Sequence, residues 1–196
     1  MQRATLAHTH RTLPGMALAC LLAAPSAHAA PAAYQIDPEH SFVHFEVVHF
    51  GTSTLRGRLG SLLGEAMLDR EQHRGEVSLR LPTAAVSTGL PILDARLREA
   101  DLFDSAGYPE AYFVATRFTF DGERLAEVRG EFTLRGTSRP LSLRSLRFSC
   151  RTDAEGEVCG GDFEAELRRS EFGATLGLPF VADRVRLLVQ VEGRRR

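Results

Sequence analysis

The ten residues from Ser41 to Phe50, SFVHFEVVHF, constrain the fold more than any other stretch of the chain. Nearly all are β-branched, aromatic or histidine, the side chains that fit a pleated surface. Successive side chains on a strand point to opposite faces. Val43, Phe45, Val47 and His49 therefore share one face, and Phe42, His44, Glu46, Val48 and Phe50 share the other. An apolar row ending in one imidazole reads as the wall of an enclosed space with a polar mouth or floor.

The same design recurs along the chain. Val77, Leu79 and Leu81 alternate with Glu76, Ser78 and Arg80 and stop at Pro82. Tyr112 to Phe120 is continuous and rich in aromatics. Ala126, Val128, Gly130, Phe132 and Leu134 alternate with Glu127, Arg129, Glu131, Thr133 and Arg135. Leu141–Cys150 and Val158–Arg168 read as a strand pair, with Phe163, Ala165 and Leu167 on one side. Val185, Leu187, Val189 and Val191 line the last strand, and Gly193–Arg196 reads as a solvated basic tail. Gly57, Gly60 and Gly64 read as bends, and Gly136–Pro140 as a turn. One helix is expected in the mature chain, over Ile92–Asp104, where Ile92, Leu93, Leu97, Ala100 and Phe103 recur at helical spacing.

About eight strands with one-sided apolar faces need a partner layer, and one helix cannot cover them. Closing the sheet on itself removes its exposed edges. Eight strands leave an interior that is filled by side chains or holds one small ligand. The expected fold is all-β: an eight-stranded antiparallel barrel with one short helix beside or across a mouth.

Composition narrows the chemistry. The chain has 196 residues and a net charge of −1, so it suits one domain and is no electrostatic magnet for nucleic acid. It contains no lysine, which excludes a Schiff-base amine, pyridoxal phosphate attachment and a P-loop within this chain. Arg3 and Arg11 precede the apolar run Met16–Ala24, and Ala27-His28-Ala29 has cleavage-site chemistry. Residues 1–29 therefore read as a signal peptide and 31–196 as the mature domain. The apolar run is short of the ~20 residues a membrane span needs. Export to the periplasm is expected, with no transmembrane segment in the mature chain. In that oxidising setting Cys150 and Cys159, flanking Asp153–Gly156, suit a disulfide across a hairpin. The C-x-x-C spacing of a redox or metal pair is absent.

Reactive groups are sparse. His40 and His44 on one strand stand roughly 13 Å apart, too far for a shared metal, and His49 faces the other way, so no metal site is expected. Gly136-Thr137-Ser138-Arg139-Pro140 approaches G-x-S-x-G but ends in Pro within a hairpin. Ser170 precedes Glu171-Phe172-Gly173. An esterase using Ser170 or Ser138 is the enzymatic alternative, and no catalytic residue is assigned otherwise. The apolar interior itself remains. Burying a tail gains ~0.8 kcal/mol per methylene, but periodicity alone leaves a filled core and a tail-binding interior equally open.

A resemblance bears on that choice. Tyr34-x-Ile36-Asp37-Pro38-x-His40-Ser41, then His49-x-Gly51 and Arg56-Gly57, resembles the opening of the YceI-like polyisoprenoid-binding family. Further on, Asp94-x-x-Leu97-Arg98, Asp101-x-Phe103-Asp104, Tyr108-Pro109, Gly130-x-Phe132-Thr133-Leu134-x-Gly136, Cys159-Gly160-x-Asp162 and Arg169-Ser170-x-Phe172-Gly173 follow in family order. The likeness runs from Tyr34 to Glu192. It implies a lipocalin-like barrel, secreted or periplasmic, that holds a polyisoprenoid or other long-chain amphiphilic lipid and is not an enzyme. The family's Arg-Asp-x-His-Leu-Arg stands here as Leu93-Asp94-Ala95-Arg96-Leu97-Arg98. That departure bears on the lipid headgroup and not on the fold.

The expectation is therefore a binding protein with no cofactor beyond a bound isoprenoid or lipid. Val43, Phe45, Val47, Val128, Phe132, Val185, Leu187 and Val189 line the tail channel, and His49 and Phe172 lie near its mouth. A module serving a membrane redox partner through a filled barrel is the second alternative, and a homodimer is left open.

Overall fold

The structure, a computed structural model, describes residues 30–196, so the signal expected over 1–29 lies outside the described residues. Its strands are β1 (Ala32–Ile36), β2 (Phe42–His49), β3 (Ser53–Gly60), β4 (Leu63–Asp69), β5 (Arg74–Pro82), β6 (Val86–Ser87), β7 (Glu110–Asp121), β8 (Arg124–Leu134), β9 (Thr137–Asp153), β10 (Gly156–Arg168) and β11 (Val181–Arg195). One helix, α1 (Pro91–Leu97), lies between β6 and β7. Eight strands, β1, β4, β5, β7, β8, β9, β10 and β11, pair antiparallel in that order, and β1 returns to β11 to close a ring. This is the eight-stranded antiparallel barrel with one short helix that the alternating faces imply. β2, β3 and β6 extend the wall from the other half of β11.

The closure rests on a seam. Residues Val181–Gln190 of β11 pair with β2, and Gly193–Arg195 pair with β1. Between those partners the chain from Asp37 to Ser41 leaves the ladder. Ser41, fully buried, fills the gap. Its Oγ accepts the Glu192 N–H at 3.0 Å and donates to the Glu192 carbonyl at 3.2 Å. The Asp37 N–H reaches the same carbonyl at 2.9 Å. A single hydroxyl thus stands in for a missing strand residue. Gly193–Arg196 is consequently no solvated tail. It carries the closing pairs with β1, and Arg194 also holds Asp153 at 3.0 Å.

Three further expectations change. The helix ends at Leu97 because the chain folds back: the Phe103 N–H donates to Leu97 O at 2.9 Å, and Asp104 takes a left-handed φ of 50°. Leu93, Leu97 and Phe103 of the expected helical row line a hollow in the barrel, whereas Ile92 and Ala100 are exposed. Pro140 lies within β9, opposite Glu131 of β8, where β10 no longer pairs on the other edge and no N–H is needed. Gly57 is mid-strand and directly opposite Phe45, while the bend falls at Gly60–Leu62, between β3 and β4.

The two ends differ. At the β1 end Tyr34 is buried beside Cys159, and its hydroxyl donates to Glu157 at 3.1 Å. Cys150 and Cys159, paired across β9 and β10, form the expected disulfide. At the α1 end the connection from Phe172 to β11 is strung on Arg169. Its buried guanidinium donates to the carbonyls of Ala174 (2.6 Å), Leu176 and Val181 (both 2.8 Å) and Ala182 (2.9 Å). Burial lowers the Arg169 pKa, against the opposing pull of Asp183.

Two outcomes follow. Ser41→Ala orphans the buried Glu192 N–H and should cost roughly 1–3 kcal/mol in chemical denaturation, with the β1–β11 amides first to lose exchange protection; an unchanged midpoint would show that the hydroxyl does not hold the seam. Arg169→Met leaves four carbonyls without their donor, so amides of the 173–182 connection should exchange well before the barrel opens. Protection equal to wild type in that connection would show that the strand ends alone fix it.

Candidate functional site: an apolar hollow along the barrel axis

The inward rows do not fill the barrel. A hollow of about 400 Å³ lies at the α1 end. A narrower one of about 60 Å³ follows, sharing Leu59, Leu81, Ala111, Phe132 and Leu187 with the first. A third of about 90 Å³ lies under Tyr34 and shares Leu79, Phe113, Leu143 and Val189 with the second. The three follow one another along the barrel axis and are separated by the side chains they share; together they are called the bore. The largest falls in the ~300–1,000 Å³ range usual for ligand sites.

Of the residues named from sequence, Phe45, Val47, His49, Phe132, Val185 and Leu187 line the largest hollow. Val43 and Val189 line the middle one, and Val128 with Val189 the deepest. Phe172 lines none of the three. It is buried behind the wall, edge-on to Phe132 with ring centroids 5.5 Å apart, and so braces a lining residue. Alternation misled at one place. A bulge at Ala126 turns Leu125 inward, where an unbroken row had Ala126.

The bore stays open because two aromatic rings lie against the wall. A Cβ added at Gly57 would fall 2.2 Å from Phe45 Cζ, and one at Gly75 would fall 2.7 Å from Phe118 Cε1. Each ring rests on bare glycine backbone where any larger residue would push it toward the axis. Gly57, which read as a bend, and Gly75 are therefore niches for the wall.

The mouth adds residues that strand periodicity cannot reach. Leu90, Leu93, Arg96, Leu97, Leu102 and Phe103 from the α1 segment line it, with Ala174, Leu176 and Val181 from the opposite connection. Both departures from the family pattern, Leu93 and Arg96, face the hollow. Arg96 donates twice to Asp101, at 2.7 and 2.5 Å. This pairing raises the Arg96 pKa and holds the Asp101 carboxyl below its ordinary value. Arg169 reaches the lining with its donors spent on carbonyls. The His49 ring packs edge-on to Phe50 at 4.6 Å and has no hydrogen-bond partner among the described residues. Along the wall the hollow offers hydrocarbon, with polar groups gathered at the mouth.

The other candidate groups are placed elsewhere. The Ser170 hydroxyl donates to Asp183 at 2.8 Å, and the Ser170 N–H donates to the same carboxylate at 2.9 Å. Burial raises the Asp183 carboxyl, but these bonds and Arg169 outweigh it and bring it below its ordinary value. Ser138 is exposed and shares a hydrogen bond with Thr133 at 2.7 Å. Neither serine meets a histidine among its bonds. His40 pairs with Asp37 at 2.7 Å and His44 is exposed on the outer face. Cys150, Glu157 and Cys159 cluster within 4.8 Å, but the two sulfurs are bonded to each other. Among the described residues no helix is long and apolar enough to cross a membrane.

Comparison with known proteins agrees with this geometry. The YceI-like domain model matches residues 34–193. Protein YceI of Escherichia coli O157:H7 is 31% identical over 188 residues, spanning 93% of this chain and 97% of its own. BcnA of Burkholderia cenocepacia shares the fold with a TM-score of 0.66 at 18% identity, over 80% of this chain and 98% of its own. A polyisoprenoid-binding domain from Saccharophagus degradans, implicated in plant cell wall breakdown, superposes with a TM-score of 0.60 at 16% identity, over 84% of this chain and 99% of its own. The match along nearly the whole barrel, and the 31% identity over almost the whole chain, place this protein in the YceI-like domain family.

Proposed function

We propose that this protein is a carrier which sequesters one long-chain amphiphilic lipid, of the polyisoprenoid class, in its axial bore, and that it does so in the periplasm after export. The observation that carries the reading is the bore itself. It is apolar along the wall, widest between α1 and the Arg169-held connection, and carries its polar groups at that mouth. That is the shape of a hydrocarbon tail with its head toward water. Each methylene moved from water into such a wall gains ~0.8 kcal/mol. Affinity then scales with tail length and needs no dedicated polar chemistry along the bore.

The reading also agrees with the Saccharophagus relative, whose domain binds polyisoprenoid. Binding is the role this reading assigns: Ser170 is tied to the Asp183 carboxylate and Ser138 to Thr133, with no histidine among their bonds, and neither serine lines the hollow. An open bore favours the carrier over a filled module that only docks a redox partner.

Protein purified from its own periplasm and sprayed under native conditions should carry an adduct that organic extraction releases as a lipid. A bare mass from such material, together with failure to bind any labelled prenol from ten to thirty carbons long, would sink the carrier reading. Within that series Gly57→Ala should discriminate. The added methyl drives the Phe45 ring into the bore, so affinity for the longest probe should fall about tenfold while short probes bind as before; overpacking costs ~1–3 kcal/mol of stability. Equal loss across all lengths would mean that Phe45 does not set the bore.

A further inference from the structure

The mouth of the bore is ringed by apolar side chains that cover nothing. Phe50 is 59% exposed, Phe180 63% and Ile92 89%, and Leu90 and Leu176 are exposed beside them. They come from three separate segments: the β2–β3 turn, the start of α1 with the residue before it, and the approach to β11. Each is on the hollow's rim by position. Leu90 and Leu176 line the hollow directly, and Phe50, Phe180 and Ile92 are chain neighbours of His49, Val181 and Leu93, which do. Exposed apolar side chains thus stand beside the mouth, and the Phe50 ring meets it through the His49 imidazole, 4.6 Å away.

Phe50 is placed there at a cost. Its φ of 50° is left-handed, a region that bulky side chains avoid. The Phe50 N–H donates to the Phe180 carbonyl at 2.7 Å, and the two rings stack with centroids 5.6 Å apart and planes 21° apart. The chain thus fixes a rigid aromatic pair pointing out of the barrel, where burial inside would have been cheaper.

We propose that this rim is a docking surface for a lipid bilayer, on which the protein seats its mouth to load and release its guest. The proposal rests on the carrier reading, because a polyisoprenoid guest resides in a bilayer and is barely soluble in water. A guest that passes from a bilayer into a mouth seated on it never crosses water. The other apolar occupant is a second copy of this chain. The five side chains together expose on the order of 500 Å², short of the ~800 Å² per partner of a stable complex. They also sit on separate loop tips around an opening and not on a flat face. Separate apolar tips around an opening suit shallow insertion among headgroups.

The test uses a triple variant, Phe50→Ser with Phe180→Ser and Ile92→Ser, none of which lines the bore. Val114→Ser, an exposed apolar residue on β7, is the control. Protein loaded with NBD-labelled geranylgeraniol is mixed with vesicles of phosphatidylethanolamine and phosphatidylglycerol at three to one. The wild-type transfer rate should rise in proportion to vesicle concentration and change little with salt. The triple variant should keep the probe affinity yet transfer at least tenfold more slowly, and Val114→Ser should behave as wild type. Transfer independent of vesicle concentration, or a triple variant as fast as wild type, overturns the docking proposal. So does sedimentation velocity that finds a wild-type dimer dissolved by the triple variant, with no vesicle binding. If no form of the protein binds the probe, the carrier reading fails instead, and co-sedimentation with empty vesicles still decides the rim: wild type pelleting and the triple variant not pelleting upholds docking, and no pelleting of either overturns it.

Discussion

The barrel depends on β11 keeping two partners at once. Its first half belongs to β2 and its last residues to β1, and those two strands are consecutive in the chain. A strand that changes partner leaves backbone groups unpaired where the partners meet. Buried in a wall, such groups cost as much as the ladder bonds gain. Ser41 resolves this because its hydroxyl donates and accepts at the same residue, Glu192. Without that joint, β1 has no reason to return to β11. The ring would then open at the end under Tyr34.

Closure in turn explains the outer surface. The strands have an inward and an outward row, and on one side of the wall the outward row carries a run of charge. Arg56, Glu46, Arg186, Glu164 and Arg144 form one ladder across β3, β2, β11, β10 and β9, with Arg56–Glu46 and Arg186–Glu164 both at 2.8 Å. Each exposed pair adds little stability. The alternation of sign instead fixes register, since a slip by one residue would bring these charges into the bore. The charged face and the oily face are two readings of one period, and both are needed to say which side is inside.

That period is why most of the architecture was legible from the sequence. Val43, Phe45 and Val47 could be put on one inward row, and Val185, Leu187 and Val189 on another, from alternation alone. What stayed hidden was whatever depends on contacts distant in sequence. Gly193–Arg196 looks like a basic tail until β1 is known to pair with it. Arg169 stands out in the sequence only as part of the Arg169-Ser170-x-Phe172-Gly173 run, and nothing local shows that the connection after it wraps four carbonyls around its guanidinium. Gly57 looks like a bend because no local rule says that Phe45 will lie opposite it. The α1 segment was misjudged in the other direction. Leu97 and Phe103 have helical spacing because both meet the hollow, though only Leu97 is in the helix.

The hollow itself sets the final constraint. Interiors normally pack to crystal density, and an apolar void costs ~24 cal/mol per Å³ when the surroundings cannot collapse. The largest widening, about 400 Å³ and open at its mouth, leaves a long apolar wall without packing partners. The wall cannot relax into the space, because the ring is closed and its diameter is set by strand number and tilt. Nor do Phe45 and Phe118 swing in to fill it, since Gly57 and Gly75 hold them flat. A chain that keeps such a space open spends stability that a guest with a matching tail returns on binding. Linkage then runs both ways: a guest that binds only the folded barrel stabilises it by RT ln(1 + L/Kd), where L is the concentration of free guest, so the gain grows with that concentration. Emptying the carrier is thus an uphill step, and a mouth whose oily rim continues into an apolar phase is the least costly place to take it.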